Sequence, residues 1–440
     1  LREGERIWMT LGTEMSAGSF TPGAGRANAD LKHTLEFWER WSAECTYRGP
    51  YHQLVQRSAL VLKLLVYQPT GAVIAAPTTS LPEAIGGGGN WDYRYAWLRD
   101  SALILDALEL TGYHREAMRF FDWLERLCLR CDDGLRVLYN VDGETALREE
   151  TLDHLDGYRA SRPVRVGNAA AGQLQLDAYG QLIDAVFVCH ERLPRRIHPD
   201  LWQRLQHLAD RAAARWSETD RGPWEVRSDP RHFVYSKLLC WVALDRALRI
   251  AECRGEDGDH ISRWRLERER VREAILGEGY NEELGAFTYA FDWPVLDASA
   301  LAIPLMGFLP ATDRRMRSTI ARIREHLSID GLVYRNCTED LRGEGTFSLC
   351  SFWLVENLAL AGDIVEAKKL FERIVAHAND LGLLAEEIDP HTGDLLGNFP
   401  QGFTHLALIR AAVRIAQAGH AAAERANGLD PLGRTRKANP

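Results

Sequence analysis

The chain of 440 residues reads as a succession of helices from about residue 32 onward. Apolar residues recur there at spacings of three and four, which is the periodicity of a helix with one buried face. The pattern predicts helices over 33–47, 51–67, 97–111, 114–129, 168–190, 200–217, 231–250, 260–277, 295–308, 313–327, 347–361, 364–380 and 400–418.

After the first of these, the predicted helices alternate between two kinds. The helices that begin near 97, 168, 231, 295, 347 and 400 are apolar on most sides, as in 102–108, which is typical of helices buried all round. The others carry one apolar stripe on a charged body. Met316, Ile320, Ile323 and Leu327 form such a stripe among arginines.

The connections alternate as well, which indicates how the helices are arranged. Links out of the apolar helices are short, whereas links into them are long and rich in Gly, Pro, aromatic and charged residues. Short links join antiparallel neighbours. The sequence therefore predicts an all-α fold of six helical hairpins, an (α/α)6 toroid whose long loops share one face. Long loops in a compact domain are usually functional, so we expect the chemistry on that face. The long links are 68–96, 130–167, 218–230, 278–294, 328–346 and 381–399.

The two ends of the chain differ from the helical body. Residues 3–11 have a short strand-like run, followed by a linker-like Gly/Ala/Pro-rich stretch. We interpret 1–28 as the remnant of an upstream β-rich domain, 29–423 as a catalytic domain and 424–440 as a disordered tail. Because the chain begins without Met, we expect an upstream portion, which would hold any signal segment. The sparse cysteines favour a cytoplasmic location.

Composition and charge exclude several classes of function. Apolar residues make up 46% and charged residues 26% of the chain, as in ordinary globular proteins. No apolar run is long enough to span a bilayer. The net charge of -9 disfavours nucleic acid as a partner. The eight cysteines include one metal-like pair, Cys128 and Cys131, with no second pair to complete a zinc site, so we expect a reducing compartment.

Two of the long loops each present glutamate among apolar residues. Glu225 follows Trp224 in the loop 218–230, and Glu386 and Glu387 follow one another in the loop 381–399. One carboxyl kept protonated in an apolar setting and one carboxylate that activates water are the minimum equipment for cleaving a glycosidic bond. A glutamate in a loop is more often a solvated surface charge, so this pattern alone is weak evidence.

The loop 78–96 and the helix start behind it strengthen this hypothesis. Four glycines at 86–89 fit no nucleotide-binding pattern. Residues 90–100 then combine four aromatic side chains with two arginines and two aspartates, which suits stacking on sugar rings and hydrogen bonding to their hydroxyls. The alternative is a core aromatic cluster in which Arg99 and Asp100 form an internal ion pair.

Several motifs in these loops resemble glycoside hydrolase family 15. The longest are Asn90-Trp91-Asp92-Tyr93-Arg94-Tyr95, His232-Phe233-Val234-Tyr235-Ser236-Lys237 and Gly397-Asn398-Phe399-Pro400-Gln401, and the resemblance runs from about residue 33 to 418. This family contains glucoamylases, glucodextranases and some trehalases. The resemblance implies an (α/α)6 domain that packs against an upstream β-sandwich, and hydrolysis with inversion at the anomeric carbon.

The resemblance also implies roles for individual residues. It makes Glu225 the general acid and Glu386 the general base, with Glu387 as the fallback if the register slips by one position. Inverting glycosidases hold two such carboxyls about 6.5–9.5 Å apart. The other implied residues would bind the sugar, and they are Tyr93, Trp97, Arg99, Asp100, Trp224 and Arg335.

Two departures from the family pattern bear on specificity. Val226 stands where fungal glucoamylases have a second acid, so the chain resembles the bacterial branch of the family. Gly89 stands where bacterial relatives usually carry Arg, which would loosen the loop or alter selectivity. Neither residue identifies the preferred linkage.

We therefore expect an inverting enzyme that releases glucose from the non-reducing end of α-glucans, as glucoamylases do. Hydrolysis of α,α-trehalose at the same site is the main alternative, and phosphorolysis is a weaker one. A catalytically silent carbohydrate-binding module is the alternative from another class. No histidine pair or calcium-loop pattern indicates a metal, so we predict no metal and no cofactor. The expected partners are a small carbohydrate and the missing β-sandwich, without nucleic acid or membrane.

Overall fold

The computed structural model describes residues 2–5, 7–9, 24–130, 135–145, 147–192, 197–338 and 343–426. The chain divides into two compact units, Leu1–Thr46 and Tyr47–Pro440. The first unit contains helix α1 (Ala24–Ala43), which begins inside the stretch predicted as a linker. Residues 2–5 and 7–9 form turns and irregular backbone rather than a strand, and the rest of that predicted run lies outside the described residues. The predicted domain boundary at residues 28–29 stays a prediction.

The second unit contains the helices of the toroid. Each predicted hairpin appears at its expected place in the chain. The helices are α2 (His52–Leu65), α3 (Leu98–Thr111), α4 (His114–Arg130), α5 (Asp177–Arg192), α6 (Pro199–Arg215), α7 (Val234–Arg254), α8 (Asp259–Gly277), α9 (Ala302–Leu305), α10 (Arg314–His326), α11 (Ser348–Ala361), α12 (Ile364–Val375) and α13 (Gly402–Ala426).

The two predicted kinds of helix differ in burial as expected. Helix α11 is buried from Ser348 to Ala359, and α7 is buried along almost its whole length. Helices α4 and α12 instead bury one stripe, which in α12 consists of Ala367, Leu370, Phe371 and Ile374. The inner helices pack side by side, with α3 on α5, α5 on α7 and α11 on α13. Helix α13 also packs on α3 and α2, so the last inner helix of the described chain closes the ring on the first.

The fourth inner helix is much shorter than the predicted span 295–308. Residues Trp293–Leu296 form a strand, and Asp297 then caps a 3-10 turn by accepting a hydrogen bond from the backbone N–H of Ser299. Only Ala302–Leu305 is α-helical, and the chain leaves it through Gly307, whose φ is 76°. The start of α5 was also predicted too early. Asn168 caps a separate 3-10 turn over Ala169–Gly172, and α5 follows at Asp177.

The long loops carry short antiparallel sheets that hold them on the toroid. The strands are β1 (Ala96–Trp97), β2 (Leu138–Tyr139), β3 (Glu150–Thr151), β4 (Arg165–Val166), β5 (Tyr280–Asn281), β6 (Ala286–Ala290), β7 (Trp293–Leu296), β8 (Ser328–Ile329), β9 (Leu332–Val333), β10 (Thr346–Phe347), β11 (Glu387–Ile388) and β12 (Leu395–Leu396). The pairs are β1–β2, β3–β4 and β8–β9, and the three-stranded sheets are β5–β6–β7 and β10–β11–β12.

Among the described residues, no helix has the length and apolar character needed to cross a membrane. Helix α13 continues to Ala426, three residues into the predicted tail, and 427–440 lie outside the described residues. Cys128 is buried in α4, whereas Cys131, its partner in the metal-like pair, lies outside the described part of the chain.

Candidate active site

The long loops surround a cavity with two compartments. The outer chamber has a volume of about 430 Å³, and the inner compartment has a volume of about 20 Å³. Both are lined by Tyr93, Trp224, Glu225 and Arg335. The outer chamber is also lined by Glu83, Trp91, Asn168, Ala170, Gln173, Val226, Arg227, Ser228, Tyr289, Trp293, Asn336, Thr338 and Glu344. The inner compartment is also lined by Ala75, Trp97, Arg99, Asp100, Pro223, Phe347, Glu386, Gln401 and Phe403.

Glu225 lies between the two compartments on a strained turn. Its φ is 53°, a left-handed backbone conformation that residues other than glycine rarely adopt. Such strained residues are often found at functional sites. One carboxylate oxygen, Oε1, accepts hydrogen bonds from Arg99 Nη1 at 2.7 Å and from Trp97 Nε1 at 3.0 Å. The backbone carbonyl of Glu225 accepts a further bond from Gln173 Nε2 at 3.1 Å.

Glu386 faces the inner compartment from the loop before β11. Its Oε1 accepts a hydrogen bond from the hydroxyl of Tyr93 at 2.8 Å, and its buried Oε2 has no hydrogen-bond partner in the described part of the chain. Gly397, with a φ of 74°, passes so close that a Cβ there would lie 2.8 Å from Oε2. Glycine at this position therefore leaves room for the carboxyl group.

The surroundings of Glu386 perturb its acidity. Burial raises the pKa of Glu386 to about 7, and the charges of Glu344 and Glu225 raise it too. The positive charge of Arg335 and the hydrogen bond from Tyr93 lower the pKa and so limit this rise. A buried carboxyl in a cleft with a pKa near neutrality has the acidity that proton transfer at neutral pH requires.

Arg99 and Asp100 lie side by side at the floor of the inner compartment. Arg99 forms an ion pair with Glu225 and also donates a hydrogen bond to the carbonyl of Pro223. Burial raises the pKa of Asp100 to about 7, although the charge of Arg99 lowers it. Burial and the charge of Asp220 likewise raise the pKa of Asp177, at the start of α5, to about 7. Asp177 was not predicted to act on Arg99, because it begins an otherwise apolar helix.

The indole of Trp224 is held in place from two sides. Its Nε1 donates to Asp297 Oδ2 at 2.9 Å, and its ring meets that of Phe347 edge-on with the centroids 5.4 Å apart. Asp297 also accepts from Asn336 Nδ2 at 2.9 Å, which ties the Glu225 loop to the opposite wall of the outer chamber. Sequence reasoning missed Asp297, which lies in a span predicted as helix.

Arg335 is the centre of a buried cluster of carboxylates. Its Nη2 lies 3.1 Å from Glu83, 3.4 Å from Glu387 and in close contact with Glu344. Neither Glu83 nor Glu344 was predicted from the sequence as a site residue. Glu387, the fallback base, lines neither compartment, because neighbouring residues of an extended segment point to opposite sides. Glu386 therefore fits the role of base better.

The same three carboxylates have the spacing of a possible metal site. One oxygen from each of Glu83, Glu344 and Glu387 lies within 4.8 Å of the others. The guanidinium of Arg335 contacts all three and supplies the positive charge there. The donor set is thus explained by an ion-paired arginine, and the absence of a metal stays a prediction.

A comparison with known proteins identifies the family. Residues 49–413 match the sequence model of the glycosyl hydrolases family 15. The chain belongs to this family. It is 44% identical over 428 residues to a trehalase of Mycolicibacterium smegmatis, and this alignment covers 95% of this chain and 63% of the relative. It is 45% identical over 394 residues to a trehalase of Mycobacterium tuberculosis, covering 88% and 58%, and 40% identical over 392 residues to a trehalase of Thermoplasma acidophilum, covering 88% and 67%.

Solved structures of a glucoamylase and of a glycosidase share the fold. A bacterial glucoamylase complexed with acarbose superposes with a TM-score of 0.69 at 16% identity, covering 89% of this chain and 60% of that one. A wild-type glycosidase superposes with a TM-score of 0.67 at 22% identity, covering 83% and 96%. The predicted all-α (α/α)6 toroid is confirmed. Because the chain spans only about 63% of the Mycolicibacterium relative, its own activity is a matter for proposal.

Proposed function

We propose that the protein hydrolyses α,α-trehalose to two molecules of glucose, with inversion at one anomeric carbon. The observation that carries this proposal is that relatives between 40% and 45% identical, from three organisms, are trehalases. This departs from the main expectation drawn from the sequence, the removal of glucose from α-glucans, and favours what was its alternative. The glucoamylase likeness at 16% identity concerns the fold alone.

Glu225 and Glu386 would share the chemistry. Glu225 protonates the bridging oxygen while the bond from that oxygen to the anomeric carbon of the first ring breaks. Glu386 removes a proton from the water that attacks this carbon from the opposite side. The first glucose leaves as the β-anomer and the second keeps its α configuration. The proposal draws support from the fact that both carboxyls line the same inner compartment.

The two compartments suggest where each ring binds. The first ring would bind deepest, against Arg99, Asp100 and Trp97, and the second ring would occupy the outer chamber beside Trp224 and Arg335. A space of about 20 Å³ holds about one water molecule, so the first ring must displace side chains. Arg99 is the obvious one to move, and its departure from Glu225 would free that carboxyl for the bridging oxygen.

The experiment is to incubate the protein with trehalose, maltose, maltotriose and isomaltose and to follow the released glucose by proton NMR. We expect trehalose to be the preferred substrate and to yield α- and β-glucose in equal amounts before mutarotation. Faster release from maltotriose would replace the proposal with glucoamylase activity, and α-glucose alone would exclude inversion. Dependence on added phosphate would indicate phosphorolysis, and binding without cleavage would indicate a silent sugar-binding module.

A second substrate separates the two carboxyl roles. Fluoride leaves α-glucosyl fluoride without needing a proton, so a general acid is dispensable for this substrate whereas a general base is not. Glu225→Gln should lower kcat on trehalose by about 100-fold or more and spare the fluoride, whereas Glu386→Gln should impair both. The opposite pattern would exchange the two roles.

A further inference from the structure

We propose that Glu149 is a positioning residue for Glu225, holding the loop of the general acid in its working conformation without touching the sugar. The inference rests on the proposed function and extends the catalytic machinery to a carboxylate in the loop that carries β3. No motif in the sequence pointed to Glu149.

Glu149 contacts three separate segments around the outer chamber. Its Oε2 accepts hydrogen bonds from Arg227 Nη2 at 2.8 Å and from the backbone N–H of Ala169 at 3.1 Å. Its Oε1 lies 3.4 Å from Arg165 Nε. The side chain is 15% exposed, so these contacts are only partly screened by solvent.

One path from Glu149 reaches Glu225 through Arg227, two residues further along the same loop. The guanidinium groups of Arg227 and Arg165 both lie over the ring of Trp91, at 4.3 and 4.4 Å from its centroid. The two guanidinium charges repel each other, and the carboxylate of Glu149, which contacts both, offsets this repulsion. The cation–π contacts then fix Arg227 against a wall of the outer chamber.

The other path reaches Glu225 from the opposite direction. Ala169 opens the 3-10 turn Ala169–Gly172, and Gln173 directly after this turn donates from Nε2 to the carbonyl oxygen of Glu225 at 3.1 Å. Glu149 therefore restrains the loop of Glu225 at two points, the side chain of Arg227 and the carbonyl of Glu225. This matters because the left-handed backbone of Glu225 is strained and persists only where the surroundings enforce it.

The charge of Glu149 is maintained by the same contacts. Burial would raise the pKa of Glu149, but the hydrogen bonds from Arg227 and Ala169 and the charges of Arg227 and Arg165 outweigh burial and lower it. The carboxylate is thus ionised at neutral pH, and both arginines keep their counter-ion.

The test compares Glu149→Gln with the wild-type protein on trehalose and on α-glucosyl fluoride. Because a displaced acid matters only for the substrate that needs a proton, we expect kcat on trehalose to fall about 10- to 100-fold with little change in KM, and kcat on the fluoride to stay within about twofold. An equal loss on both substrates, or no loss on trehalose, would overturn the proposal. Glu150→Gln is the matched control. Glu150 is the next residue along the chain and its side chain is 63% exposed, so this variant should behave as wild type.

A second variant tests the path itself. Arg227→Gln changes a side chain that is 51% exposed, so it should fold even if Glu149→Gln does not. It should show a smaller selective loss on trehalose, because the path through Ala169 and Gln173 stays intact. In the double variant the losses should not add, because both changes break one connection. Fully additive losses would refute the path.

The result is separable from the proposed function. If the wild-type protein fails to cleave trehalose, the proposed function is wrong. The role of Glu149 is then tested by comparing kcat on α-glucosyl fluoride with kcat on the glycoside that the protein does cleave. If wild type cleaves trehalose but Glu149→Gln shows no selective loss, only the role of Glu149 is wrong.

Discussion

At the scale of single residues, opposing influences set the pKa of Glu386. Burial raises its pKa to about 7, while Arg335 and the hydroxyl of Tyr93 lower it. A general base must be ionised to accept a proton, so the acid limb of the pH profile of activity should lie near pH 7. The hydroxyl of Tyr93 favours the ionised form because it donates to Glu386 Oε1.

We predict that Tyr93→Phe moves the acid limb of the pH profile of kcat to higher pH, by about one pH unit, because the lost hydrogen bond had stabilised the carboxylate. The measurement is kcat for trehalose between pH 5 and 9. Tyr95→Phe, two positions along the same loop, is the control and should leave the acid limb in place. A shift to lower pH in Tyr93→Phe would contradict the assigned role of the hydroxyl.

Sequence reasoning reached part of this site. The motif residues Tyr93, Trp97, Arg99 and Asp100 and the two loop glutamates line one cavity, as the resemblance implied. Glu83, Glu344 and Asp297 were missed because a carboxylate in a loop has no pattern of its own. Their contacts with Arg335 and Trp224 join segments far apart in the chain, and only the folded structure brings these together.

At the scale of elements, α5 and α7 approach each other unusually closely. Gly180 in α5 faces the backbone of α7, and a Cβ at this position would lie 2.1 Å from the carbonyl oxygen of Leu239. Backbone atoms cannot yield as a flexible side chain does, so the glycine permits the contact.

We predict that Gly180→Ala lowers the free energy of unfolding by about 1–3 kcal/mol or more, because the two helices must separate. The measurement is chemical denaturation followed by circular dichroism. Gly419→Ala in α13 is the matched control: a Cβ there meets nothing within 4 Å, so this change should raise stability by up to about 1 kcal/mol. A neutral result for Gly180→Ala would show that α5 shifts without cost.

Helical periodicity predicted most of the helices. It failed where apolar residues follow one another without the three- and four-residue spacing of a helix. Residues 293–296 are apolar and extended, and a short apolar run does not reveal whether it is helix or strand. The loop sheets were not predicted for the same reason, since most strands are two residues long and too short to show an alternating pattern.

At the scale of the whole toroidal unit, Arg410 helps to join the ends of the inner ring. It lies in α13 and donates to Asp106 of α3 at 2.7 Å, while its other Nη atom lies 3.5 Å from Glu356 of α11. The side chains of Arg410, Asp106 and Glu356 are 10%, 9% and 1% exposed, so none can be hydrated in compensation.

We predict that Arg410→Met costs about 1–3 kcal/mol of the free energy of unfolding, because it removes a cation that Asp106 and Glu356 share, although Arg192 still lies 2.6 Å from Asp106 and Arg414 3.9 Å from Glu356. Urea denaturation measures this cost. Adding Glu356→Gln should recover part of the loss, since it removes one uncompensated charge. A cost below about 1 kcal/mol would show that the inner helices close the ring without this ion pair.

The closing position of α13 has a consequence for synthesis on the ribosome. Helix α13 begins at Gly402, after the loops that carry both candidate catalytic carboxyls, yet it packs on α2, α3 and α11 from earlier parts of the chain. A nascent chain from which α13 has not yet emerged exposes the apolar sides of these helices to solvent and to chaperones. Neither a complete ring nor a finished cavity exists until α13 has emerged and packed on these helices.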